Sequence, residues 1–244
     1  MKKFSEFKFK KVDLNKIQKD FTEMMSAFQN ATSFEEQDQI LTKYFKYSED
    51  IETNFSIAHV RYTQDTTNEE NIKNKQTLDE VGPLLSVFTN AFAKALVNSK
   101  FRKELEEKWG THLFNMYQVA LETFDEKIVP ELQELNKLSS EYTKIVASAQ
   151  IEFNGEVLNL SQLGKYAQSL DRDVRRKASL ASSNFFNEHN EEIGEIYDKM
   201  VKIRTSMAHK LGYKNFIELG YKSLGRTDYD QYMVENYRKQ IYND

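Results

Sequence analysis

The segment Met200–Tyr229, which reads MVKIRTSMAHKLGYKNFIELGYKSLGRTDY, contains the end of one helix, a second short helix and two glycine stops. Its apolar residues recur every three or four positions, which is the spacing of one face of an α-helix. Gly212 and Gly225 each follow such a stretch, where a glycine in the left-handed conformation ends a helix without steric cost. Asn215 is placed to cap the short helix. The segment therefore predicts a corner at which consecutive helices pack closely together.

The rest of the sequence also favours helices, because glycine and proline number only 8 and 2 in 244 residues. Asp13 is a candidate helix cap, and Ser33–Glu36 and Thr67–Glu70 both match the capping-box pattern. Pro83 lies inside a helical pattern, where proline costs about 3 kcal/mol, so we expect a kink or a break there. The sequence thus predicts a mainly all-α, multi-helix lobe with long amphipathic helices.

One stretch predicts a small β-hairpin instead. Asn154-Gly155 is the strongest short hairpin signal, because both turn residues tolerate a positive φ. A two-residue turn there fixes three opposed pairs: Phe153 with Glu156, Ile151 with Leu158, and Ala149 with Leu160. A lone hairpin is marginally stable, so we expect it to pack on the helices.

The two ends of the chain follow different patterns. Three phenylalanines near the start predict an extended arm whose rings lie on the body: Phe4, Phe7 and Phe9. After the hairpin we expect a short helix from Ser161 to Leu170. A very long helix, capped by Asp171, then runs to Leu211 with a polar middle at 187–191 where it can bend. No Ser/Gly/Pro linker divides the chain, which favours one domain over residues 1–244.

Composition excludes several classes of partner and site. The chain carries 34 basic and 38 acidic residues, and a net charge of −4 does not suit nucleic-acid binding. It has no cysteine, which excludes disulfides and thiolate sites. No apolar run approaches transmembrane length, and the basic start lacks the apolar region of a secretory signal. We therefore expect a cytoplasmic protein without membrane or nucleic-acid partners.

Candidate metal ligands are few. The four histidines are His59, His112, His189 and His209. None belongs to a His-Glu-x-x-His pair, in which two imidazoles one helical turn apart grip zinc. His189 has three glutamates nearby: Glu188, Glu191 and Glu192. A solvated, charged helix segment explains this group better than a ligand set does. His209 is interpreted as a partly buried or capping residue, and we assign no catalytic, cofactor-binding or metal residue.

The order of several blocks resembles a known enzyme family. The blocks are residues 98–109, which read NSKFRKELEEKW, with residues 153–163, 170–178, 211–216 and 225–229. Together with the opening FKFKKVDL, they are similar to the N-terminal part of the oligoendopeptidase F group. These are thimet-oligopeptidase-like zinc metallopeptidases of peptidase family M3, and the similarity covers essentially the whole chain.

The resemblance implies a hydrolase with two helical lobes around a deep cleft that admits short peptides. In that family zinc is bound by a His-Glu-x-x-His helix and a further glutamate, all in the C-terminal half. No position here matches those ligands, so none is carried over. We expect residues 1–244 to be a single helical N-terminal lobe that forms part of the substrate cleft. The lobe alone would lack zinc and activity, whereas the full-length enzyme would bind zinc.

A second hypothesis is a non-catalytic helical scaffold or protein-interaction module. Under either hypothesis the sequence suggests truncation, because the helix that begins near Asp230 reaches the last residue without a glycine cap. An expressed fragment and a naturally short product both fit this pattern. The apolar face of that helix comprises Met233, Val234, Tyr237 and Ile241. We expect this surface, left uncovered by the missing half, to promote self-association.

Overall fold

A computed structural model describes residues 3–243, and the fold is 79% helical. Over this range it contains eleven α-helices and one two-stranded antiparallel sheet. The helices are α1 (Leu14–Asn30), α2 (Phe34–Gln64), α3 (Glu69–Val97), α4 (Arg102–Trp109), α5 (Thr111–Thr123), α6 (Val129–Ala147), α7 (Leu160–Ala167), α8 (Arg172–Glu188), α9 (Asn190–Lys210), α10 (Phe216–Ser223) and α11 (Gln231–Asn243). The strands are β1 (Ile151–Phe153) and β2 (Glu156–Leu158). The predicted all-α lobe with one small hairpin is confirmed.

Helices α1 to α5 form the N-terminal bundle, residues 14–123, around an aromatic core. The Tyr44 and Phe92 rings stack with centroids 3.8 Å apart, and Phe28 lies 5.2 Å from Phe92. Phe92, Leu105 and Phe114 are completely buried. Because these rings come from different helices, burying them holds the bundle together.

Buried polar contacts join the loops of this bundle. The Gln37 side-chain amide donates to the Phe28 carbonyl at the end of α1, over 2.9 Å. The same side chain accepts a hydrogen bond from the Ser99 hydroxyl in the loop before α4. Nearby, the Trp109 indole donates to Asp38 over 2.9 Å. The block 98–109, which carried part of the family resemblance, thus ties α4 to the start of α2.

Helix α3 is continuous through Pro83, without a break. A proline at position 83 cannot donate to the Asp79 carbonyl one turn earlier, and its ring crowds that turn. An amide of α6 supplies the missing donor, and a second one binds the next carbonyl. Asn136 Nδ2 donates to the Asp79 carbonyl over 3.2 Å, and Gln133 Nε2 donates to the Glu80 carbonyl over 2.7 Å. Of the expected kink or break, the break is wrong, and α6 provides a partner for the Asp79 carbonyl that Pro83 cannot bond.

A network of side chains adds to this junction between α3 and α6. Lys75 and Asp79 form a largely buried ion pair one turn apart on α3. The Ser140 hydroxyl of α6 donates to Asp79 over 2.7 Å and lies 2.9 Å from the Lys75 ammonium. The Tyr62 hydroxyl donates to the Ser140 carbonyl over 3.1 Å. Helix α6 is therefore attached to the bundle through polar contacts as well as apolar ones.

The hairpin lies in a second core with α6, α7, α8 and α9. Its turn has Asn154 at φ 52° and Gly155 at φ 80°, and Ile151 faces Leu158 as predicted. The third predicted pair does not form, because Asn159 caps α7 and Leu160 already belongs to that helix. The turn residues fix the register, while the cap limits the length of the strands.

The long helix predicted after Asp171 is two helices. Asp171 caps α8 as expected, but the helix stops at Glu188 and α9 starts at Asn190. His189 joins them with φ −99° and ψ 12°, within the polar segment where a bend was expected. The short helix before them ends at Ala167, three residues earlier than predicted.

The cap is displaced by one residue at the start of α3, and one bond of the expected capping box is displaced at the start of α2. Asn68, and not Thr67, caps α3 by accepting from the Asn71 backbone N–H. Ser33 caps α2 as predicted, but the Glu36 carboxylate accepts from the Thr32 backbone N–H over 2.6 Å. The capping pattern thus located both starts to within one residue.

The N-terminal arm is held on α2 mainly through its backbone. Asn54 exchanges two hydrogen bonds of 2.8 Å with the Lys10 backbone, and Arg61 donates to the Phe7 carbonyl. The arm contains one 3-10 turn, Phe4–Glu6, and the Phe4 side chain is exposed. Over the described part of the chain, no helix combines the length and apolar character needed to cross a membrane.

Candidate functional site

The helical corner predicted from Met200–Tyr229 is present. Met207 and Ala208 are buried against Leu219 and Ile128 in a third core, which joins the end of α9 to α10 and the start of α6. Gly212, at φ 89°, ends α9. The Asn215 side chain then caps α10 by accepting from the Ile217 backbone N–H over 2.9 Å.

Polar contacts fix α10 to the C-terminal end of α5. The Lys222 ammonium lies 2.8 Å from the Glu122 carboxylate and 3.1 Å from Glu218. The Tyr213 hydroxyl donates to the Glu122 carbonyl over 3.0 Å. The hydrogen bond to Glu122 raises the pKa of Lys222 well above its usual value, against the opposing effect of burial. Lys222 therefore stays charged and holds α10 in place.

The turn after α10 packs against the bundle. Gly225 has φ 67°, and a Cβ atom there would lie 2.8 Å from the Met116 methyl of α5. Glycine adopts this backbone conformation without strain, and its lack of a Cβ atom leaves room for the Met116 methyl. The Arg226 guanidinium that follows lies 4.3 Å from the centre of the Tyr221 ring and 5.4 Å from that of Tyr229. These cation–π contacts give the segment 225–229 a defined shape.

Beyond this turn the apolar side chains face solvent. Asp230 caps α11 by accepting from two backbone N–H groups at 3.0 Å, and no described residue of α11 is buried. We define the C-terminal face as the exposed apolar residues of α10, α11 and the segment between them: Ile217, Leu224, Tyr229, Tyr232, Met233, Tyr237, Ile241 and Tyr242. Exposed apolar stripes on a helix are typical of surfaces that pack against another element.

Of the four residues predicted to form an exposed apolar surface on the last helix, three are exposed. Met233 is 57% exposed, Tyr237 63% and Ile241 59%. They stand four residues apart and so form one stripe along α11. Val234 differs, because it is half-buried. The contact of Lys222 with Glu122 of α5 could not be predicted from local patterns, since it joins residues 100 positions apart.

The histidines do not come together in a metal site. Within residues 3–243, no three His, Asp or Glu side chains are grouped so that they could hold a metal ion. His189 lies at the joint of α8 and α9, with its Nδ1 3.3 Å from Glu192. His209 is exposed rather than partly buried, and its Nε2 lies 3.1 Å from the Lys214 carbonyl in the turn after α9. His59 lies on α2 and His112 on α5.

Known proteins share this architecture. The sequence profile of the peptidase M3 N-terminal domain matches residues 4–124. A search of curated proteins gave no significant match. Among solved structures, the chain is similar to PZ peptidase A, with 45% identity and a TM-score of 0.93. It is also similar to a protein assigned as oligoendopeptidase F from Bacillus anthracis strain Ames, with 38% identity and a TM-score of 0.93.

These likenesses extend over nearly the whole of this chain but less than half of the relatives. They cover 98% of the chain, against 42% of PZ peptidase A and 44% of the Bacillus anthracis protein. A third structure, assigned as oligoendopeptidase F, has 41% identity and the same TM-score. The match covers 42% of that protein's chain. All three cores described above therefore lie within the shared architecture.

Proposed function

Because this chain belongs to peptidase family M3, as an N-terminal part related to oligoendopeptidase F, we propose that it forms one wall of the substrate cleft of a zinc metalloendopeptidase that hydrolyses short peptides. The observation that carries the proposal is the match at 45% identity over 98% of the chain. The C-terminal face supports it, because a stripe of exposed apolar side chains on α11 suits packing against a further lobe.

The described residues do not fit a zinc site. Catalytic zinc needs three protein ligands in fixed geometry and a position open to water. The four histidines are dispersed over the fold, and no acidic cluster compensates for this. The proposal therefore assigns zinc to another segment of the enzyme and gives this lobe a role in binding and positioning the peptide. A cytoplasmic location remains a prediction.

The first test uses the chain as it is. Purified residues 1–244 are analysed for bound metal and offered a quenched fluorescent peptide, with and without added zinc. We expect neither stoichiometric zinc nor cleavage. Bound zinc together with chelator-sensitive cleavage would mean that this chain holds a metal site of its own, and it would overturn the division of roles proposed here.

The second test supplies the remaining part. Residues 1–244 replace the corresponding region of PZ peptidase A in a covalent chimera, with the parent enzyme as reference. We expect chelator-sensitive peptide cleavage that returns when zinc is added. Tyr237→Glu in the chimera should reduce cleavage by placing a charge in the C-terminal face. Lys239→Glu, on the polar side of α11, is the matched control. A folded but inactive chimera would favour a non-catalytic scaffold instead.

A further inference from the structure

A separate cleft of about 790 Å³ opens in the N-terminal bundle between α1, α2, α3 and α5. Five aromatic rings contribute to its wall: Phe21, Tyr44, Phe45, Phe55 and Tyr117. Phe55 and Tyr117 are half-buried, so part of each ring faces the opening. This volume is in the range of small-molecule sites, which are mostly apolar with a few placed polar groups.

The polar groups of the cleft are carboxylates and hydroxyls. Glu49 and Glu52, on successive turns of α2, lie at its edge. Glu49 is paired with Lys46 over 3.1 Å, whereas Glu52 forms no ion pair with any residue that the structure describes. The Ser48 side chain, one turn before Glu52, lines the cleft next to the Tyr44 hydroxyl, with which it interacts.

The charge of Glu52 acts inside the cleft. Burial raises the pKa of Tyr117, and the negative charge of Glu52 contributes in the same direction. Burial likewise raises the pKa of Tyr44, again with a contribution from Glu52, while the nearby Tyr117 and Ser48 hydroxyls oppose it. The Glu52 carboxylate is thus close enough to affect both phenol groups, and both phenols stay protonated at neutral pH.

From this arrangement we infer that the cleft binds an organic cation, an ammonium group on a short apolar chain. The carboxylate of Glu52 would pair with the ammonium, and the aromatic faces would attract the same charge. The rings of Phe21 and Phe55 would cover the alkyl chain. Either a free alkylamine or the side chain of a lysine in a peptide has this chemistry.

Other ligand classes suit the cleft less well. An anion would meet two carboxylates at the edge, Glu49 and Glu52, with only the Lys46 cation beside them. A neutral apolar molecule would gain nothing from the charge of Glu52 at the edge of the cleft. The inference does not depend on the proposed peptidase role, because the cleft lies wholly within the N-terminal bundle.

The test is a titration of the full chain with hexylamine, in which binding is measured by calorimetry and by the fluorescence of Trp109. Trp109 is the single tryptophan, and its ring lies 5.1 Å from that of Phe45 in the cleft wall. We expect Glu52→Gln to weaken binding about tenfold or more, because it removes the charge but keeps the shape. Glu107→Gln, on the exposed side of α4, is the matched control and should bind as the parent does.

Further ligands distinguish the effect of charge from that of apolar burial, and a free alkylamine from a lysine side chain in a peptide. Hexan-1-ol has the same chain without the charge and should bind much more weakly than hexylamine. A blocked pentapeptide with one central lysine reports whether a peptide side chain reaches the cleft, and its norleucine counterpart is the control. Equal affinity for hexan-1-ol, an unchanged affinity in Glu52→Gln, or no binding of either cation up to about 10 mM would overturn the inference.

Discussion

The N-terminal bundle and α11 are built from the same kind of amphipathic helix, yet only the bundle covers its own apolar faces. Phe92 of α3 is fully buried between Phe28 and Tyr44, whereas Tyr237 of α11 is 63% exposed. Periodicity shows that a helix has an apolar face, but the partner of that face depends on the rest of the fold. The same sequence pattern therefore gives a covered face in the bundle and an exposed face on α11.

The largest effect is expected in the bundle core. Phe92→Ala removes a ring that stacks on Tyr44, and it should lower the free energy of unfolding by about 3–5 kcal/mol. Urea denaturation followed by circular dichroism measures the loss. A reduction below about 1 kcal/mol would show that the bundle core is loosely packed and would remove the contrast with α11.

The junction between the bundle and α6 should respond less strongly. Asn136→Ala removes the donor to the Asp79 carbonyl, and we expect a loss of about 1–2 kcal/mol in the free energy of unfolding. In a Pro83→Ala background the new backbone N–H at position 83 can donate to that carbonyl instead. The same Asn136→Ala change should then cost less, and equal costs in both backgrounds would contradict the assigned role of Asn136.

A smaller, pH-dependent effect is expected where α6 meets α9. Burial alone would raise the pKa of Glu131, but hydrogen bonds from Lys210 and Ser206 hold it below its ordinary value of 4.5. Glu131 therefore adds stability above about pH 4.5, and this is lost as the pH falls through the lower pKa of the folded state.

Glu131→Gln should remove that part of the acid dependence, with a loss of less than about 1 kcal/mol at neutral pH. Thermal unfolding at pH 7 and in steps below pH 4.5 would measure it. Glu134→Gln, one turn further along α6, is the control and should keep the parental pH profile. Identical profiles for Glu131→Gln and the parent would show that the Lys210 contact adds no stability.

The smallest change in stability is expected on α11. Tyr237→Glu should alter the free energy of unfolding by no more than about 0.5 kcal/mol, because the side chain touches little of the chain. The same variant should reduce the self-association that we expect of the parent at high concentration, as measured by sedimentation. A monomeric parent would contradict the role given to the C-terminal face, while a large loss of stability would contradict the contrast itself.

Features set by local chemistry could be predicted from the sequence. The hairpin register followed from Asn154-Gly155, because both residues accept a positive φ and the turn has a fixed length. The ends of α9 and α10 followed from Gly212 and Gly225 for the same conformational reason. The caps were placed to within one residue, since neighbouring side chains compete for the same backbone N–H groups.

Features set by packing could not be predicted in this way. A continuous α3 depends on amides of α6, more than 50 residues away along the chain. The cleft joins Glu52 of α2 to Tyr117 of α5, and each was visible in the sequence only as a residue of a helix. Exposure of α11 likewise depends on what packs on it, and its own periodicity matches that of a buried helix.

Pro83 also bears on the order in which the chain acquires its structure. During synthesis α3 leaves the ribosome before α6, and until α6 docks the Asp79 carbonyl has no helical donor and binds water. Docking exchanges that water for the Asn136 amide, and a shift of α6 by one turn would lose this hydrogen bond. Pro83 in α3, which is made early, therefore favours one alignment of α6, which is made later.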